Sequence, residues 1–371
     1  MKLRIERAAL LKSLQHVQSV VERRNTIPIL SNVLLDAKAG KLALTATDLD
    51  LWMVEHVDAT VDQPGGTTVP AQTLYDIVRK LPDGAEVELT SEPDGRLLVR
   101  AGRSRFHLPS LDSEDFPLMP EGDLPHKFNL AAADLRRLIE KTRFAISTEE
   151  TRYYLTGVYL HAAKTDGGTS LRAVATDGHR LARIETALPK GAAQIPGVIV
   201  PRKVVAEMYR LIEGRDAEIT LSLSESKIRA EFGGAVLTSK LIDGTFPDYQ
   251  RVIPSGNDKM LEVDAKAFSA AIDRVSTVST EKSRAVKIAL DKGKATLSAS
   301  SAENASAIEE LAVGYDAGAI EIGFNARYLI EILGEIDGES AEFAFADAVS
   351  PTIVRDTSDQ GALYVLMPMR V

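Results

Sequence analysis

Thr68-Val69-Pro70-Ala71-Gln72, Ile199-Val200-Pro201-Arg202-Lys203 and Gly323-Phe324-Asn325-Ala326-Arg327 are three versions of one event, a short strand that runs straight into a helix. The residues that follow, Leu74, Ile77 and Val78, then Val204, Val205 and Met208, then Leu329, Ile330 and Leu333, carry an i, i+3, i+4 apolar stripe. Proline suits the junction, because a first-turn residue has no use for an N–H. Upstream of each copy lies an alternating strand: Leu42–Thr47, Leu171–Thr176 and Ala295–Ser300. Before each strand comes an amphipathic helix, marked by Leu10, Leu14 and Val17, by Leu135, Leu138 and Ile139, and by Phe268, Ala271, Ile272 and Val275. Landmarks keep the period. Phe116-Pro117 returns at Phe246-Pro247, and Met367-Pro368 ends the third copy. The chain therefore reads as α+β, with three similar domains at 1–120, 127–247 and 248–371, each two helices packed on antiparallel sheets. Linkers fall near Pro117–His126 and Phe246–Asn257.

Composition narrows the function. The 371 residues are 44% hydrophobic and 26% charged, which suits packed domains rather than a disordered tract. Cysteine is absent, which removes disulfides, thiolate metal sites and cysteine catalysis. Met1-Lys2-Leu3-Arg4-Ile5-Glu6 alternates charge and is no signal peptide, and no apolar run approaches the ~20 residues of a membrane span. A cytoplasmic protein with no membrane contact and no cofactor is the expectation.

The net charge of −9 argues against a protein that coats nucleic acid. The charge is unevenly placed, however. The six expected helical stretches together carry +6, which leaves −15 for everything else. Helices forming one positive surface on an acidic body would admit duplex DNA in one place only.

Seven motifs then align the whole chain with one family. They are Thr26-Ile27-Pro28-Ile29-Leu30-Ser31-Asn32, Gly102-Arg103-Ser104-Arg105-Phe106, Arg152-Tyr153-Tyr154-Leu155-x-Gly157, Ala175-Thr176-Asp177-Gly178-His179-Arg180-Leu181, Val198–Lys203, Ser239–Tyr249 and Tyr364–Arg370. In this order the chain resembles the bacterial DNA polymerase III beta subunits, the beta sliding clamps. The resemblance implies a head-to-tail homodimer, a six-domain ring that encircles and slides on duplex DNA without sequence specificity. As a non-enzymatic processivity factor it would tether the replicative polymerase alpha subunit. A clamp loader would open it, and other polymerases and repair proteins carrying a clamp-binding motif would share it.

The same resemblance implies three sets of site residues. A pocket for a partner motif of glutamine and hydrophobic residues would use Leu155, Thr176, Gly178, His179, Arg180, Leu181, Pro247, Arg251, Val252, Val349, Val365, Met367, Pro368, Met369 and Arg370. Arginine and threonine at its rim would fix the peptide backbone, and methionine suits a socket that serves several partners. DNA would meet Arg24, Tyr153, Tyr154, Arg202 and Lys203, with only one of the adjacent tyrosines able to reach it from a strand. Ring closure would set Arg96, Arg103, Arg105, Phe106 and Leu108 against the partner's Thr277, Val278, Glu303 and Glu309. Arg103 and Arg105 would share one face of a strand. Two other readings remain open at this point: a hydrolase centred on Asp177 and His179, and a motif-binding scaffold that does not encircle DNA.

Overall fold

The structure is a computed structural model, and it describes residues 1–22, 26–119, 122–165, 167–214, 216–279, 285–301 and 305–370. The first third of the chain forms β1 (Lys2–Glu6), α1 (Arg7–Val17), β2 (Asn32–Lys38), β3 (Lys41–Thr47), β4 (Leu51–Asp58), β5 (Thr60–Gln63), β6 (Gly65–Pro70), α2 (Ala71–Lys80), β7 (Glu86–Glu92), β8 (Arg96–Ala101) and β9 (Ser104–Pro109). The middle third forms β10 (His126–Ala131), α3 (Ala132–Arg143), β11 (Gly157–Thr165), β12 (Gly168–Thr176), β13 (Arg180–Ala187), β14 (Val198–Pro201), α4 (Arg202–Ile212), β15 (Glu218–Leu223), β16 (Lys227–Phe232) and β17 (Ala235–Lys240). The last third forms β18 (Lys259–Asp264), α5 (Ala265–Ser276), β19 (Ala285–Asp291), β20 (Lys294–Ser300), β21 (Ser306–Ala312), β22 (Gly314–Tyr315), β23 (Ile320–Asn325), α6 (Ala326–Leu333), β24 (Ser340–Phe345), β25 (Thr352–Asp356) and β26 (Asp359–Leu366).

The sequence periods explain these elements. Along β3 and β20 every second side chain is buried, as a half-buried strand requires. Helix α5 buries Phe268, Ala271, Ile272 and Val275, and Asp264 caps its start by accepting from the Ala267 N–H at 2.7 Å. Asn325 caps α6 in the same way. The first and fifth helices are shorter than the charged stretches suggested, ending at Val17 and Ser276.

The chain divides into two compact units. One comprises Met1–Ala132, Pro189–Ile195 and Ala206–Leu241, the other Ala133–Leu188, Pro196–Val205 and Ile242–Val371. The first unit holds a sheet ordered β5-β1-β7-β8-β9 and another ordered β10-β15-β16-β17-β4-β3-β2-β6. The second holds β14-β11-β12-β13-β26-β25-β24-β18-β22 and β21-β20-β19-β23.

These orders are one pattern written three times. The run β6-β2-β3-β4 matches β14-β11-β12-β13 and β23-β19-β20-β21. The run ending in β9 matches the runs ending in β17 and β26. Two joints result, and they keep the same register. In the first unit β17 pairs antiparallel with β4, setting Ser239 opposite Leu51, Thr238 opposite Trp52 and Val236 opposite Val54. In the second unit β26 pairs antiparallel with β13, setting Leu366 opposite Arg180, Val365 opposite Leu181 and Leu363 opposite Arg183. Strands β9 and β21 are the remaining members of this series, and each lies at the edge of its own sheet. Unpaired edges of this kind are templates for another chain.

Candidate partner-peptide site

The second joint carries a cavity of about 320 Å³ lined by Arg152, Tyr154, Leu155, Thr176, Gly178, Arg180, Leu181, Pro247, Asp248, Tyr249, Val252, Val365 and Met367. Its floor is built from alternate residues of neighbouring strands. Leu181 and Val365 face each other across β13 and β26 and join a buried apolar cluster with Leu155, Val174, Phe246, Tyr249, Ile353 and Leu363. The wall comes from two short 3-10 segments, Glu150–Leu155, which is kinked at Arg152, and Tyr249–Val252. Val252 and Met367 remain exposed at the mouth. An apolar floor with a few polar groups around it is what a short hydrophobic peptide anchor requires.

The turn from Thr176 to Arg180 sets one edge of the cavity. The Asp177 carboxylate accepts from the backbone N–H groups of His179 (2.9 Å) and Arg180 (3.1 Å) and from Arg180 Nε (3.2 Å). Thr176 Oγ1 donates to the Arg180 carbonyl at 2.7 Å and accepts from the Gly178 N–H at 3.1 Å. Gly178 has φ +90°, where any other residue would be strained, and a Cβ there would also push the Arg152 guanidinium aside. Asp177 is thus a turn-former (an Asx cap), and the His179 ring stacks on Tyr328, with ring centroids 6.1 Å apart. Neither side chain is arranged as an acid–base pair, which answers the hydrolase reading.

Arg180 has a different task from the one expected of it. Its side chain is only 6% exposed. The guanidinium pairs with Asp177 and Glu331, donates to the Phe144 carbonyl at 2.6 Å, and lies 5.0 Å from the Phe144 ring and 4.4 Å from the Tyr328 ring. Each of its three nitrogens has a protein partner, so it supports the turn from behind while bordering the cavity. Likewise the Thr176 hydroxyl serves the turn. The polar rim is supplied instead by Arg152, whose Nε donates to Glu149 at 2.9 Å and Nη2 to the Asp177 carbonyl at 2.9 Å.

Behind Tyr249 lies a buried polar layer. Arg172 donates to Glu185 at 2.7 Å and to the Tyr249 hydroxyl at 2.9 Å, and His161 Nε2 lies 3.1 Å from that hydroxyl. Burial pushes the Glu185 carboxyl up, but hydrogen bonds from Arg172 and Ser170 outweigh it and hold the group below its ordinary value. Burial keeps the His161 imidazole below its ordinary value as well.

Of the residues expected at the pocket, Leu155, Thr176, Gly178, Arg180, Leu181, Pro247, Val252, Val365 and Met367 line it. Arg251 pairs outward with Asp248, and Val349 is 76% exposed away from the lining. Met369 is tied through its N–H to the Gly323 carbonyl on β23, so Pro368, Met369 and Arg370 continue past the cavity. Arg152, Asp248 and Tyr249 line it without having been assigned there. Each stands inside a motif already singled out, Arg152 in Arg152–Gly157 and the other two in Ser239–Tyr249.

The other two sets are redistributed. Tyr153 and Tyr154 lie on a 3-10 turn rather than a strand; their rings meet edge to face at 5.7 Å. Tyr153 is 53% exposed, whereas Tyr154 is turned to the cavity. Arg202 is exposed at the start of α4, followed by the half-buried Lys203. Arg103 sits in the Gly102–Arg103 hairpin turn, outside β9, so it shares no strand face with Arg105. Leu108 is buried within its own unit, opposite Leu97. Arg96 is held by Asp94 at 2.8 Å, and Glu309 is held by Arg274 at 2.6 Å. Phe106 is half-buried on β9, and Thr277 and Val278 follow the end of α5. Arg24 and Glu303 lie outside the described residues.

Comparison with known proteins converges on this architecture. Models of the N-terminal, central and C-terminal domains of the DNA polymerase III beta subunit match residues 1–120, 129–248 and 250–370. The chain is 58% identical over 372 residues to the beta sliding clamp of Caulobacter vibrioides, covering 100% of both. It is 41% identical over 374 residues to the beta sliding clamp of Escherichia coli K12, again covering 100% of both. A crystal structure of the Caulobacter crescentus beta sliding clamp superposes with a TM-score of 0.98 at 57% identity, covering 100% of this chain and 99% of that one. A Pseudomonas aeruginosa sliding clamp bound to griselimycin gives 0.93 at 42% identity, with both chains fully covered. Identity at this level along the full length, together with a thrice-repeated sheet pattern, places the chain in the beta sliding clamp family, the non-catalytic processivity subunits of DNA polymerase III.

Proposed function

We propose that two copies of this chain close head to tail into a ring that slides on duplex DNA and tethers polymerases through the cavity at the second joint. One observation carries the reading. The β17–β4 and β26–β13 joints are the same pairing, and the chain leaves one half of a third such joint unused at β9 and the other half unused at β21. Pairing β9 of one copy with β21 of another completes the series, and two such joints close a ring. The repeat gives the register: Arg105 opposite the other copy's Ile308, and His107 opposite its Ser306. This explains why Ile308 is 71% exposed in the single chain.

Domains at 1–120, 127–247 and 248–371 would each contribute one helix pair to the inner surface. On those helices Lys12, Lys80, Arg202 and Lys266 are exposed. Arg79, Arg210 and Arg327 pair with Asp76, Glu207 and Glu331 on their own helices. A sparse positive face of this kind attracts phosphates without reading bases, which permits sliding. The chain would act in the cytoplasm with a clamp loader. The polymerase alpha subunit, other polymerases and repair proteins would take turns in the cavity by inserting a motif of glutamine and hydrophobic residues. Among the described residues no helix is long and apolar enough to cross a membrane.

The test is retention on a nicked DNA circle after loading with a cognate loader and ATP. A topologically held ring survives a high-salt wash and leaves after one double-strand cut. Protein washed off the intact circle, with the loader proven on another clamp, would leave only a peptide-binding scaffold.

A further inference from the structure

We propose that Arg183 forms an oxyanion subsite adjoining the cavity, where it receives an acidic side chain flanking the partner's hydrophobic motif; this rests on the peptide-binding reading above. Arg183 lies on β13 two residues beyond Leu181, opposite Leu363, which itself lies two residues from Val365 on β26. Strand side chains repeat every second residue, so Arg183 is on the face that floors the cavity, about 7 Å further along.

Its surroundings are unusual for an arginine. Nε is fully buried and without a hydrogen-bond partner, and among the described residues the guanidinium has no ion pair. The residue as a whole is only partly buried, and Nε is the one guanidinium atom that is both fully buried and without a partner. The nearest acid on this face, Glu185, is already taken by Arg172 and Ser170. Arg355, which also faces Arg183, is 3.7 Å from Glu342. Burial and the neighbouring Arg172 push the Arg183 guanidinium below its ordinary value, against opposing pulls from Glu185 and Tyr249. A guanidinium left half-desolvated beside two other arginines is a site waiting for a planar oxyanion, and a carboxylate matches its fork. The equivalent place in the first joint is Val54, so the repeat does not require a cation there.

The test uses the full-length protein and three synthetic peptides with the same glutamine-and-hydrophobic motif. Two carry aspartates on the N-terminal or the C-terminal flank, and one carries serines on both. Binding is read by fluorescence anisotropy at low and at high salt. One of the acidic peptides is expected to bind about fivefold to tenfold tighter than the serine peptide at low salt, with the advantage fading at high salt. In Arg183→Met that advantage should vanish, while serine-peptide affinity stays within about twofold. Arg183→Lys should keep part of it. Because Arg183 has no partner to lose, the Met variant should melt at or above the parent temperature. An equal acidic advantage in Arg183→Met and parent, or no advantage in the parent, overturns the subsite and leaves the cavity standing. Failure of all three peptides to bind the parent overturns the cavity reading and the subsite with it.

Discussion

The two strand joints share a register and differ in what they place on it. At the first, Leu51 and Trp52 occupy the positions that Arg180 and Leu181 occupy at the second. Trp52 is 4% exposed, and its indole N–H donates to the Pro117 carbonyl at 3.2 Å, pinning the linker to the sheet. A trough of about 700 Å³ remains beside it, more open than the second cavity and bordered by His56, Asp123, Lys227 and Arg229. At the second joint the small Leu181 leaves an apolar hole, and the linker stands off on Tyr249, whose hydroxyl rests on Arg172. Backbone pairing therefore does not make a peptide site. One bulky residue against one small one decides which joint keeps an open, polar-edged trough and which an apolar socket.

Making the second joint resemble the first should therefore have the largest effects. Arg180→Leu copies Leu51 but takes the guanidinium from the Asp177 and Glu331 carboxylates, leaving Asp177 its backbone donors and Glu331 its pair with Arg327. It should cost about 3 kcal/mol of stability, read by denaturant unfolding with an unchanged slope. A loss under about 1 kcal/mol would mean that Arg180 is not the keystone of the turn. Next comes Leu181→Trp, which copies Trp52. It should fill the hole and weaken motif-peptide binding about 100-fold, a loss of about 2.7 kcal/mol, while the dimer remains. Retained affinity would move the peptide site elsewhere.

The reverse change, Trp52→Leu, should cost about 2 kcal/mol through lost packing and the lost indole bond, without creating motif binding. The smallest effect belongs to Glu335, which follows α6. Burial raises its carboxyl to about 7, although Lys141 pulls it down. The folded state then holds a proton that the unfolded state releases above its ordinary value of 4.5, so stability falls as pH rises from there to about 7. Glu335→Gln should melt higher than the parent at pH 8, by about 1 kcal/mol after allowing for partial exposure, and equally near pH 4.5. An equal melting temperature at both pH values would remove Glu335 from the account.

Much of this could be read from the chain. Period-two strands, i, i+3, i+4 helices and the Phe-Pro landmarks announced three copies, because alternation and helical stripes are local properties. The motif Ala175–Leu181 covers the turn that borders the cavity. Sequence spacing alone could not show where the Arg180 guanidinium goes. Its partners, Glu331, Phe144 and Tyr328, come from distant elements. The same holds for Tyr249, whose value as a wall depends on Arg172 being beneath it. Arg103 was misplaced because a two-residue hairpin turn interrupts what reads as an alternating strand. Leu108 is buried because an edge strand packs one face in its own unit even when its edge is free, a contact between strands that local alternation does not show.

The central claim is the third joint, and the absence of cysteine from the chain makes it directly testable. His107→Cys and Ser306→Cys together place two thiols at positions that the repeat sets opposite each other, within disulfide reach. On mild oxidation, denaturing gels should show a covalent dimer and nothing larger, and neither single variant should cross-link. Monomer alone would contradict the β9–β21 pairing, and a ladder of higher species would replace the closed ring with an open head-to-tail filament.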